Sequence, residues 1–131
     1  MIRIARVAFA LLALAGCKKR PQPTVPAPPD AQQMAGVSNL ETAESTLFHT
    51  MYRYAGHAGE ALRFYQPEMQ KRGAAPSGDG FADGNVEHAG GFGRDGSAGA
   101  KDPSRPGVWL SVLELGNETR IDIWENVPNP K

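Results

Sequence analysis

Apolar and polar positions alternate most regularly near the end of the chain. There Val108 to Leu115 and Glu118 to Glu125 form two strand-like runs separated only by Gly116-Asn117. A two-residue turn in which glycine can take a positive φ at its first position predicts a β-hairpin. Such a turn also fixes the register, pairing Leu115 with Glu118 and every later position in step. One face then carries Leu110 opposite Ile123 and Val112 opposite Ile121, with Glu114 opposite Thr119 at the turn, and this is the core face. The other carries Trp109 opposite Trp124, Ser111 opposite Asp122 and Leu113 opposite Arg120.

Earlier in the chain, Ser45 to Tyr54 places Thr46, Phe48, Thr50, Tyr52 and Tyr54 in alternation with Leu47, His49, Met51 and Arg53. The β-branched and aromatic content favours a strand. A helix is the rival, because Ser38-Asn39-Leu40-Glu41 has the form of a capping box and Leu40, Ala43, Leu47, Met51 and Tyr54 fit helical spacing. The next element is a helix in which Ala58, Ala61, Leu62, Tyr65 and Met69 make one apolar stripe, with Glu60 in its first turn and Lys71, Arg72 and Gly73 as its stop. Pro67 should kink it near Arg63 to Pro67. From Gly73 to Gly99 lie nine of the fifteen glycines, interrupted by Phe81, Val86 and Phe92, which predicts a loop-rich stretch with one weak strand near Phe81 to His88. Lys101 to Pro106 is a polar connection.

These elements predict an α+β fold over residues 38–128. The expected order is β-α-β-β-β, a small antiparallel sheet of three to four strands with one helix packed on one face. A single amphipathic helix covers one face of a small sheet, so the tryptophan face is left without helical cover. Either the glycine-rich segment folds over it, or the two indoles support each other as a cross-strand pair, or Trp109 and Trp124, edged by Arg120 and Asp122, form a binding patch of the kind in which aromatics and arginine supply the hot spots.

The amino terminus has a different pattern. Arg3 and Arg6 precede Val7 to Ala15, an uninterrupted apolar run of nine residues. As a helix it would span roughly 14 Å, about half the hydrocarbon thickness of a bilayer, so residues 1–16 read as a signal peptide and not as a membrane span. The run ends in Leu14-Ala15-Gly16-Cys17, which resembles the lipobox of bacterial lipoproteins. The resemblance implies that a diacylglycerol is attached to Cys17, that the preceding peptide is removed, and that the new amino terminus is acylated. Two or more acyl chains give a stable anchor where one gives only marginal binding. The alternative is that Cys17 is an ordinary small hydrophobe of a leader peptide. In Gram-negative members of that family an aspartate after the cysteine tends to retain the protein at the inner membrane. Here Lys18 stands in that place, so the resemblance favours the outer membrane, with the domain in the periplasm.

Residues 17–37 would then be the lipidated cysteine and a linker. Pro21, Pro23, Pro26, Pro28 and Pro29 favour extended polyproline II, which from Lys18 to Ala35 reaches on the order of 55 Å. This predicts a spacer that holds the domain away from the membrane.

Charge and composition exclude several functions. The 131 residues carry 14 basic and 14 acidic side chains, but five of the basic ones precede Pro21, leaving nine against 14 beyond it, a net of −5. An acidic body offers no footprint to a phosphate backbone, so nucleic acid is not expected as a partner. The lone cysteine excludes an internal disulfide framework and a cysteine-based zinc site. Gly91-Phe92-Gly93-Arg94-Asp95-Gly96 matches G-x-G-x-x-G by letters, but no helix follows to present its amino terminus to a phosphate. The overlapping calcium-repeat match from Gly90 to Asp95 has no neighbouring copy. An EF-hand frame from Asp79 puts residues without ligand atoms at ligand positions, and Asp95 to Gly99 lacks the first glycine of a nucleophile elbow. His49, His57 and His88, with Glu60 one turn beyond His57, make a conceivable but undiagnostic metal or catalytic set.

The expectation is therefore a lipid-anchored envelope protein with a small non-catalytic binding or assembly domain, no cofactor, and an envelope protein or other envelope component as its partner. A metal-dependent or enzymatic lipoprotein using His49, His57, His88 and Glu60 is the rival class, and a structural spacer lipoprotein the third.

Overall fold

The computed structural model describes residues 20–34 and 38–130. Cys17 and residues 1–16, expected to be a signal peptide, lie outside the described residues. In chain order the elements are β1 (Gln32–Gln33), β2 (Ser38–Glu41), β3 (Ser45–Tyr54), α1 (Ala58–Lys71), β4 (Ala75–Ser77), β5 (Gly80–Ala82) and β6 (Val86–Gly90). A 3-10 turn over Gly93–Asp95 leads into β7 (Gly96–Ala100), followed by β8 (Gly107–Leu115) and β9 (Glu118–Pro128).

Seven strands form one antiparallel sheet in the order β1-β3-β9-β8-β5-β4, with β2 pairing β3 alongside β1, while β6 and β7 form a separate two-stranded ribbon. The expected small α+β sheet of three to four strands is therefore overturned. The molecule is mostly β, with nine strands and one helix among the described residues. The strands missing from the expectation are short or glycine-rich. Ser38–Glu41, which has the letters of a capping box, is strand β2, paired residue for residue with Thr46–His49. The loop-rich stretch with one weak strand is instead four strands, β4 to β7.

The hairpin and its register are as the turn dictates. Gly116 has φ +57°, and Trp109 faces Trp124, Leu110 faces Ile123 and Val112 faces Ile121. Strand β3 lies on the other side of β9, with Thr50 opposite Ile123 and His49 opposite Trp124.

The helix is held at both ends. His57, its first flanking residue, makes no side-chain cap, and Glu114 of β8 supplies one from across the sheet, accepting the Ala58 N–H at 3.1 Å. At the other end the Gly73 N–H donates to the Gln70 carbonyl at 3.1 Å and the Ala74 N–H to that of Met69 at 2.9 Å, the paired bonds of a Schellman stop. The helix runs through Pro67 without a break. Both Arg63 and Pro67 are exposed, so the carbonyl that proline leaves without a donor has access to water.

Ala61, Tyr65 and Met69 of α1 bury fully against Phe81, Val108, Leu110, Val112, Ile121 and Ile123. A helix is about 10 Å wide and strands are spaced about 4.8 Å apart, so α1 spans only two or three strands of this sheet. The rest of the helix-side face is covered by the proline-rich segment, whose Val25 belongs to the core. This corrects the picture of a free spacer. The Thr24 and Val25 N–H groups donate to the buried Glu125 carboxylate at 2.8 and 3.1 Å, the Thr24 hydroxyl bonds to the same group, and the Tyr65 hydroxyl donates to the Pro26 carbonyl at 2.8 Å. Prolines suit a segment laid on a core because they bring no backbone donor that would need a partner there.

Candidate functional site

The face of the sheet away from α1 carries His49 and Met51 from β3, Asp122 and Trp124 from β9, and Trp109 from β8. The β6–β7 ribbon and the 3-10 turn fold over it. Asp122 is fully buried: its Oδ2 accepts the Gly93 N–H at 2.7 Å and its Oδ1 pairs with Nε2 of His49. A carboxylate acceptor there places the proton of that bond on Nε2 of His49.

The imidazoles stack on the indoles. His49 lies on Trp124 with ring centroids 3.8 Å apart and planes 4° from parallel, and His88 lies on Trp109 at 3.7 Å and 7°. His88 also approaches Trp124, at 6.2 Å between centroids. Glycine makes this closure possible. Gly93 has φ +68°, and a Cβ there would sit 2.8 Å from Cε of Met51, while one on Gly96 would overlap the His88 ring. Burial pushes the pKa of His88 below its ordinary value and the neighbouring His49 adds to this, against an opposing pull from Asp122, so the ring is neutral at pH 7. Nε2 of His88 and Nε1 of Trp124 are buried without a hydrogen-bond partner among the described residues.

The four residues expected to form an open patch have separate places. Trp109 and Trp124 are cross-strand neighbours but partly covered, and Asp122 is sealed beneath Gly93. Arg120 lies toward the hairpin turn, tied to Glu118 at 3.1 Å, and Arg53 pairs with the same carboxylate at 2.6 Å. Glu118 thus separates two arginines that stand directly opposite each other on adjacent strands.

The histidine set is divided as well. His49 and His88 flank the indoles, whereas His57 is exposed at the start of α1, 3.1 Å from Glu114, and Glu60 accepts the Tyr54 hydroxyl at 3.4 Å. The Ala58 N–H and the His57 ring both hold the Glu114 carboxyl below its usual range. Among the described residues no three His, Cys, Asp or Glu side chains converge where a metal ion could sit.

A groove of about 260 Å³ lies on this face between β2 and the ribbon. Trp124 and Leu47 belong to its floor, Leu40 and Ala98 to its walls, and Ser38 and Ser97 to its rim. Leu40 is 62% exposed, the most exposed large hydrophobic among the described residues. Among the described residues strand β2 is paired on one side only, and all four of its residues are exposed. The groove therefore offers an apolar floor beside an open strand edge.

No family model, curated protein or solved structure matches this chain. Among the described residues no helix is long and apolar enough to cross a membrane.

Two participants were missed by sequence reasoning. In sequence Leu40 belongs only to the rival helical start, and its role appears once Ser38–Glu41 is strand β2. Glu125 carried a usable signal: it follows Ile121 and Ile123 in the core-facing series, and an acid there demands partners.

Proposed function

We propose that the chain is a lipid-anchored protein of the bacterial cell envelope, with the outer membrane favoured, whose domain is a non-catalytic module for an extended segment of another envelope protein. Anchorage rests on the lipobox-like Leu14-Ala15-Gly16-Cys17. The binding reading is carried by one observation, the exposed Leu40 on an unpaired strand edge beside the groove floored by Trp124. An extended segment added to that edge would gain main-chain hydrogen bonds and place alternate side chains in the groove. Buried aromatic anchors contribute most of the affinity in such contacts. The rigid Asp122–His49–Trp124 stack holds the floor in place, so little ordering cost is left for the binding event.

Photo-crosslinking tests this. With a photoreactive residue at Ser38, on the groove face of β2, in intact envelopes, a discrete protein adduct is expected, and Leu40→Asp should abolish it. Leu115→Asp, at the other exposed leucine, should leave it intact. No protein adduct, or one indifferent to Leu40→Asp, would overturn the groove as the binding site.

A further inference from the structure

The docked proline-rich segment shortens any tether to the membrane. Six residues, and so seven Cα-to-Cα steps, separate Cys17 from Thr24, the point fixed to Glu125 through its N–H at 2.8 Å and its hydroxyl. Fully extended, they reach about 25 Å, where a free linker up to Ser38 would reach about 70 Å. Ahead of Thr24, Arg20 and Pro21 already line a cleft with Asn39, Glu41 and Phe48 at the β2 side of the sheet.

The position of the dock gives the tether a direction. Glu125 lies seven residues along β9 from Glu118 at the hairpin turn, about 24 Å at strand spacing. Beyond it the same end of the sheet carries the β2–β3 connection, where the Asn129 N–H donates to the Glu44 carbonyl at 2.8 Å. We infer that the domain is held with its Glu41–Ser45 end against lipid headgroups and its Gly116–Asn117 turn pointing outward, on a leash too short to leave that membrane. This rests on the lipid-anchored reading above and deepens it. The partner segment must then itself reach the surface of the same membrane, because the β2 groove lies at the anchored end. Glu41 and Glu44 at that end would not draw it toward anionic lipid, so the short covalent connection sets the orientation, aided by Lys18, Lys19 and Arg20 next to the anchor.

Energy transfer on the full-length acylated protein tests this. Vesicles of phosphatidylethanolamine and phosphatidylglycerol carry an acceptor dye on their headgroups. Because the sulfur of Cys17 is taken up by the diacylglyceryl thioether, Glu44→Cys and Asn117→Cys each supply the only free thiol for a donor dye. Transfer should be several-fold stronger from position 44 than from position 117. Releasing the dock with Thr24→Ala and Glu125→Gln together should bring transfer from position 44 down toward that from position 117. Should that pair fail to fold, hydrogen exchange of the native protein reads the dock directly: slow Thr24 and Val25 amides are expected, and rapid exchange would overturn the short leash. Equal transfer from both positions, or weak transfer from both, would overturn the orientation while a diacylglyceryl mass on the Cys17 peptide kept the anchored reading. An unmodified Cys17 on a chain that does not float with vesicles would overturn the anchored reading itself.

Discussion

His49 lies flat on Trp124, with ring centroids 3.8 Å apart, and the edge of the same imidazole is held by the buried carboxylate of Asp122. The pair joins two neighbouring strands, since His49 of β3 stands directly opposite Trp124 of β9. Stacking and a charge-assisted hydrogen bond therefore act on one side chain from two directions and fix its rotamer.

Removing Asp122 leaves two groups without their acceptor, Nε2 of His49 and the Gly93 N–H. Each unsatisfied buried group costs about 1–3 kcal/mol, so Asp122→Ala should lower unfolding stability by about 3 kcal/mol in urea titrations. Asp122→Asn keeps an acceptor for one of them and should cost less. Equal losses from the two variants would argue against the two-bond geometry.

His88 makes stability depend on pH in a defined direction. Its folded pKa is lowered, chiefly by burial, whereas in the unfolded chain it titrates near 6.5. Between those values the unfolded state binds more protons, so this residue's contribution is fully present above about pH 6.5 and is lost as pH falls through the folded value. His88→Phe keeps an aromatic ring on Trp109 and removes the titration. Urea midpoints at pH 7.5 and pH 5 should differ less in that variant than in the native protein, and an unchanged difference would contradict the assignment.

Gly93 combines a left-handed backbone, φ +68°, with direct contact to Met51. Gly93→Ala should cost on the order of 1–3 kcal/mol from strain and crowding together. It should also shift tryptophan emission to the red, because the turn that seals this face is displaced. Loss of stability without a spectral change would place the damage elsewhere.

Glu125 accepts from Thr24 and Val25 and lies 3.4 Å from Arg72. Glu125→Ala should lower stability by about 3 kcal/mol, since several buried donors lose their acceptor at once. It should also expose the chain around Val25 to limited proteolysis at protease levels the native protein resists. Unaltered protection there would mean that Val25 burial alone holds the segment.

Short-range geometry is legible in the order of residues alone. A two-residue turn dictates the pairing of its flanking strands, so the Trp109–Trp124 pair and the Leu110, Val112, Ile121 and Ile123 core face were readable before any coordinates. The apolar stripe and stop of α1 were readable for the same reason, because 3.6-residue periodicity and helix ends depend on near neighbours. Tertiary structure decided the width of the sheet and the fate of both its faces. Strands of three or four residues such as β2 and β5 have too little pattern of their own, and they form because a long neighbour, β3 or β8, offers unpaired backbone groups. That width outgrew one helix, and the uncovered remainder called in the proline-rich segment on one side and the glycine ribbon on the other. Which distant segment covers which exposed apolar surface is settled by burial across the whole fold, and no local period in the chain encodes it.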